Sequence, residues 1–205
     1  MTLPHIVIIH DDWNEKSPIV VHLKEKYGSD NVKFLKQSQQ GIDYVMEAPM
    51  RKTIVLLDYN FKSGEPTGGE VFRKIREKSS LIYVIIVTKN QNKDINTDDF
   101  VEFINNNALA IARPSDGYSE ITDLVEKAQH QLDVRADIII EEWIASKPEN
   151  ERNTPYMTLS NGKVYSLNDM VDNIRNQTEL GKEIERDILS LAIKLIMEKL
   201  SPDNA

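Results

Sequence analysis

The chain has 205 residues, 40% of them hydrophobic and 28% charged, which suits one large domain, or one ordinary domain with a small companion, around an apolar core. Its formal net charge is −8, and residues 131–205 hold 9 Lys and Arg against 14 Asp and Glu, a balance of 9 − 14 = −5, so neither the whole nor its C-terminal part is basic enough to favour phosphate backbones. Cys is absent, which excludes disulfides and thiolate metal sites, and no apolar run approaches the ~20 residues of a membrane helix. The N-terminus has no secretion-signal pattern, so a cytoplasmic protein without membrane or nucleic-acid partners is expected.

In chain order, residues 5–9 are a short apolar run that ends in Asp11-Asp12. Ile19, Val20, Leu23 and Tyr27 have helical spacing, and Gly28 stops that helix. Residues 32–35 predict a strand, Ile42, Val45 and Met46 a helix ending near Pro49, and residues 53–57 a β-branched strand running into Asp58. A third helix follows Gly68-Gly69 with Val71, Phe72 and Ile75; residues 81–87 are a nearly unbroken apolar strand; Phe100, Val101 and Ile104 mark a fourth helix. Residues 108–112 predict a fifth strand, and Ile121, Leu124, Val125 and Ala128 begin a fifth helix whose pattern runs on from Ser119 to Ile144.

Five strands alternating with five helices predict an α/β fold with a five-stranded parallel, doubly wound sheet. The strands are near-continuous apolar runs, as expected when both sheet faces are covered. The division expected is a main domain over 1–130, an extended helix and linker over 131–155, and a small, mainly helical region over 156–205. Residues 147–155 are polar with two prolines and read as the linker. Ser160-Asn161-Gly162 predicts a hairpin turn, Ser166 and Thr178 predict helix caps, and Ile184, Ile188, Leu191 and Leu195 form a stripe on the last helix. The helix to Ile144 carries Leu132, Ile138, Ile139, Trp143 and Ile144 beyond the reach of the main domain; they are expected to pack on that stripe or on a second subunit.

In a parallel sheet the functional crevice lies beyond the carboxyl ends of the strands. There the sequence sets Asp11-Asp12, Asp58, Thr88 and Arg113-Pro114 after strands one, three, four and five. Carboxylates gathered at one edge repel unless a cation intervenes, and a hard divalent ion held by oxygens is the natural remedy. A carboxylate is also a competent nucleophile toward a phosphoryl group.

That ordered set resembles the receiver domains of two-component response regulators, over about residues 4–130. The resemblance implies a flavodoxin-like fold and Asp58 as phosphoacceptor. It implies Mg²⁺ as cofactor, bound directly by Asp12, mostly through water by Asp11, and by Asp58 and the Asn60 carbonyl. Thr88 is then the switch hydroxyl. The implied partner is a sensor histidine kinase or phosphotransfer protein, with a homodimer or another protein partner at the output end. On this reading the protein is a switch rather than an enzyme, limited to self-phosphorylation and slow hydrolysis.

Four features depart from the family pattern. Arg113 stands where the family has Lys, a planar fork in place of a point charge. Lys89 stands where a small residue is usual, and either replaces the missing lysine or obstructs the phosphodonor. Ala110 stands at the aromatic switch position, and the loop over 61–69 is long. The departures motivate a rival reading, a pseudo-receiver that acts as an interaction module without phosphorylation. A haloacid-dehalogenase-like phosphatase needs Asp-x-Asp, and the chain has Asp58-Tyr59-Asn60. The bond Arg113–Pro114 is expected to be cis, by the same resemblance. Gly68-Gly69 lacks the rest of a phosphate-loop pattern and is read as freedom at the helix start. His5, His10, His22 and His130 share no ligand spacing and are assigned to packing or surface, as are Trp13 and Trp143.

Overall fold

A computed structural model describes residues 3–47, 52–89, 95–113, 117–159 and 162–200. The chain separates into two compact units, Met1–Val134 and Arg135–Ala205.

The first unit is built on five strands, β1 (His5–Ile9), β2 (Val32–Leu35), β3 (Thr53–Asp58), β4 (Tyr83–Val87) and β5 (Ala110–Ala112). They form one parallel sheet in the order β2-β1-β3-β4-β5. Every residue of β1 and β3 is buried, which explains why these strands read as continuous apolar runs. The linking helices are α1 (Pro18–Tyr27), α2 (Ser38–Glu47), α3 (Gly68–Lys78), α4 (Thr97–Asn105) and α5 (Tyr118–Val134). Strand alternation divides the core. Val7, Ile9, Val55, Leu57, Val84 and Ile86 join Val45 of α2, Val71, Phe72 and Ile75 of α3 and Phe103 of α4 in one cluster. Ile6, Ile8, Ile54, Leu56 and Ile85 alternate with them and face the other side. The expected α/β doubly wound fold is the one observed, and its order reverses between β1 and β3.

Two local details place the site. Thr67 caps α3 with Glu70 in a reciprocal capping box. Gly68 follows so close to β3 that a Cβ there would lie 2.5 Å from the Asp58 carbonyl oxygen, and one on Gly69 would strike the Asp99 carboxylate. Gly68 is therefore required by its close approach to the backbone after β3, which corrects its reading as mere freedom at the helix start.

The continuous helix expected from Ser119 to Ile144 is also corrected. α5 ends at Val134, Arg135 is extended (φ −81°, ψ 127°), and α6 (Ala136–Ala145) restarts beyond it. Asp133 in the last turn of α5 is tied to the buried Lys52 at 2.9 Å, just ahead of β3. Leu132 is buried, so the first unit does reach this turn. Asp137 turns back to bond both Arg135 and the Ile138 N–H, which starts the new helix.

The second unit comprises α6, α7 (Glu149–Arg152), an antiparallel hairpin of β6 (Pro155–Thr158) and β7 (Val164–Ser166), α8 (Leu167–Arg175) and α9 (Glu179–Leu200). The hairpin and the caps follow the sequence reading: Ser166 makes a capping box with Asp169, and the Thr178 hydroxyl accepts from Gly181 N–H. Ser160 and Asn161 of the turn lie outside the described residues. Ile138, Ile140 and Ile144 of α6 and Leu167, Met170, Val171 and Ile174 of α8 are buried, with Ile184 of α9. Glu141 of α6 and Arg175 of α8 form a buried ion pair at 2.6 Å. Within the chain the expected packing on the α9 stripe holds at Ile184 alone: Ile188, Leu191 and Leu195 are exposed, as are Ile139 and Trp143. Trp143 instead meets Tyr156 edge-on and the Lys147 ammonium. Among the described residues no helix is long and apolar enough to cross a membrane.

Candidate functional site

The register fixes which side chains meet. Ile9 pairs with Leu57, Asp58 with Val87, and Val87 with Ala112. One step past β1 comes His10, level with Asp58, with its N–H bonded to the Leu35 carbonyl. Thr88 and Arg113 lie one step beyond the level of Asp58, and Thr88 N–H donates to the Ala112 carbonyl. Asp58 and Thr88 are both buried.

His10 is the residue the sequence reading missed. Its Nδ1 lies 3.1 Å from Asp58 Oδ2, the ring is 2% exposed, and it stacks on Trp13 with ring centres 4.0 Å apart. Nδ1 also takes the Asp12 N–H at 3.3 Å. Burial, the largest influence, pushes the His10 imidazole down to about 4 despite the opposing pull of Asp12. Burial pushes the Asp58 carboxyl up to about 7; the Asn60 N–H, donating to Oδ1 at 3.1 Å, resists this, and Asp11 and Asp12 reinforce it. Near neutrality the pair thus consists of a neutral ring and a carboxyl close to half-ionised.

The three aspartates do not converge as one group. Among the described residues His10, Asp11 and Asp58 offer ligand atoms within 4.8 Å of one another. Asp12 lies at the rim, where Lys89 Nζ bonds its carboxylate at 2.7 Å and holds it below the usual carboxylate range. Lys89 therefore stands over the acidic mouth of the crevice, with its ammonium held charged by that bond. Arg113 is partly exposed, while Pro114 and with it the expected cis bond lie outside the described residues. Ala110, at the aromatic switch position, is half-buried. Beside the site Tyr59 donates to Asp99 at 3.0 Å and accepts from Asn96 N–H, and Arg73 pairs with the same Asp99. This network fastens the start of α4 to the residue after Asp58.

Mg²⁺ takes an octahedral shell of oxygens, several of them water. The convergent donor set here is one imidazole nitrogen and two carboxylates, with the remaining carboxylate engaged by a lysine. Asp11 and Asp58 supply two carboxylates of the kind such an ion uses, beside a His10 nitrogen that it does not favour, while the expected Asp12 carboxylate is bonded to Lys89.

Neither a known sequence family nor any curated protein matches the sequence. Solved structures do share the fold. The adenylate cyclase from Rhodopirellula baltica is 15% identical with a TM-score of 0.55, over 72% of this chain and 100% of that one. NtrX from Brucella abortus in complex with ATP is 11% identical with a TM-score of 0.50, over 85% of this chain and 34% of that one. A CheY-like response regulator receiver domain protein from Methanospirillum hungatei is 16% identical with a TM-score of 0.49, over 63% of this chain and 95% of that one. The likeness at these identities is one of fold: a five-stranded, parallel, flavodoxin-like sheet with helices on both faces.

Proposed function

We propose that the first unit is the receiver of a two-component response regulator and that Asp58 accepts a phosphoryl group from a sensor histidine kinase or phosphotransfer protein. The observation that carries this is the placement of Asp58: a buried carboxyl at the carboxyl end of the central strand, where the strand order reverses. Its oxygen attacks phosphorus as a carboxylate, so the fraction ionised near neutrality is the reactive one. Thr88 and Arg113 are carried to the same edge by β4 and β5, where a hydroxyl and a cation offset charge on the transferred oxygens. Lys89 supplies a second cation at the mouth. A bound divalent cation would supply further charge neutralisation. The chemistry is a switch: self-phosphorylation and slow hydrolysis. Incubation with acetyl phosphate and a divalent metal tests it, with one added phosphoryl group by intact mass in the wild type and none in Asp58→Asn.

The output proposed is association through the second unit, in a cytoplasmic protein that does not bind DNA. On α9, Ile184, Ile188, Leu191 and Leu195 alternate by four, three and four residues, the spacing of a helix–helix seam. Ile188, Leu191 and Leu195 are exposed, flanked by Asp187 and Lys194 of opposite charge, so a second copy of the helix laid antiparallel is the occupant we assign.

One observation favours a second reading, an interaction module that takes no phosphate: His10 already satisfies Asp58 and Lys89 already satisfies Asp12. Absence of labelling in the wild type selects it.

A further inference from the structure

We propose that the crevice between β1 and β3 is a transition-metal site, with His10, Asp11 and Asp58 as ligands, that selects Zn²⁺ over Mg²⁺; the proposal rests on the reading of Asp58 as the site's chemical centre.

The geometry supplies the donors. His10, Asp11 and Asp58 present one nitrogen and two carboxylate oxygens within 4.8 Å of one another, a span that one ion at ordinary bond lengths can bridge with small adjustment. The nitrogen is already in place, because the ring is buried against Trp13 at 4.0 Å and Nδ1 lies 3.1 Å from Asp58. Nδ1 faces both Asp58 Oδ2 at 3.1 Å and the Asp12 N–H at 3.3 Å, so it is the ring nitrogen turned toward the carboxylates.

Selectivity follows from donor type. Imidazole suits zinc and its transition-metal neighbours, whereas Mg²⁺ is reluctant to leave oxygen and water. The carboxylate that would complete an oxygen shell is withdrawn, since Asp12 is held at the rim by Lys89 at 2.7 Å. Two carboxylates facing each other across a buried nitrogen carry about two negative charges when ionised, which one divalent ion neutralises. Three protein ligands leave coordination positions for water or an incoming oxygen anion.

The test uses the full chain, stripped of metal by chelation, titrated with Zn²⁺, Mn²⁺ and Mg²⁺ by calorimetry and followed by thermal melting. The expected result is one equivalent of Zn²⁺, bound roughly a hundredfold or more tighter than Mg²⁺. His10→Asp puts oxygen in place of nitrogen; it is expected to lose at least ~tenfold in Zn²⁺ affinity and to gain Mg²⁺ binding. Visible absorption of the Co²⁺-loaded protein reads the ligand directly, and its bands shift in His10→Asp. Should that variant not fold, Asp11→Asn removes a ligand from the partly exposed rim, with the same loss of Zn²⁺ expected. Equal affinity for Mg²⁺ and Zn²⁺ in the wild type, Zn²⁺ binding unchanged in both variants, or no binding of any metal would overturn the proposal. Labelling of Asp58 with Mg²⁺ and no Zn²⁺ preference would sink this site while sparing the phosphoacceptor; selective Zn²⁺ binding without labelling under any metal would do the reverse.

Discussion

Asp58 and His10 set the chemistry at the scale of single residues. The carboxyl is raised to about 7 and the imidazole lowered to about 4, both chiefly by burial. For Asp58 the folded-state value lies above the unfolded one. Its contribution is therefore fully present below the unfolded value, near 3.8, and is lost as pH rises through about 7. Asp58→Asn removes that loss. In chelated buffer the variant is expected to be more stable than wild type at about pH 8, by an amount on the order of a few kcal/mol, and the gain to shrink toward about pH 4. Denaturant melts at several pH values measure it, and a gain independent of pH would show that the carboxyl is not titrating where its burial places it. His10 has the opposite sign: its contribution is present above the unfolded value of 6.5 and is lost as pH falls through about 4. His10→Phe, which keeps a ring on Trp13, is expected to resist acid better than wild type over that window.

The elements explain why the site is so closely fixed. α3 starts against the Asp58 backbone, and its first glycine cannot carry a side chain without moving β3. Gly68→Ala is expected to cost about 1–3 kcal/mol in a denaturant melt, the penalty of overpacking. Thr67→Ala removes only a cap and should cost about 1 kcal/mol. If the two variants prove equal, the close approach has been misjudged. The sheet, its helices and the residues on its carboxyl edge were legible in the sequence, because fully buried strands announce themselves as apolar runs and their ends as polar residues. His10 was passed over because it was weighed as one of four unrelated histidines. The signal was present: aligning the apolar runs of β1 and β3 sets His10 opposite Asp58. The break at Arg135 was not legible, because apolar periodicity persists across it. Asp133 at that end is tied to Lys52 by a long-range ion pair that no local pattern displays.

At the scale of the whole molecule, two units share one chain, and the second keeps a charged pair in its interior. Glu141 and Arg175 are both buried and bonded to each other, and burial raises the Glu141 carboxyl. Arg175→Met strands that carboxylate and is expected to destabilise the second unit by about 3–5 kcal/mol, whereas changing both partners to apolar residues should restore much of the loss. A cycle of the two single variants and the double variant measures this. The exposed Leu191 and Leu195 give the assembly prediction. Light scattering is expected to find a dimer in the wild type and a monomer in a variant with Glu at both positions; a wild-type monomer at high concentration removes the α9 seam.

The most direct test of the central claim locates the phosphoryl group rather than counting it. After treatment with acetyl phosphate, borohydride reduces an aspartyl phosphate to homoserine, and peptide mass mapping reads the position of that residue. Asp58 as phosphoacceptor predicts homoserine at position 58 and nowhere else. Homoserine at position 11 or 12, or none at all under any divalent metal, would contradict it.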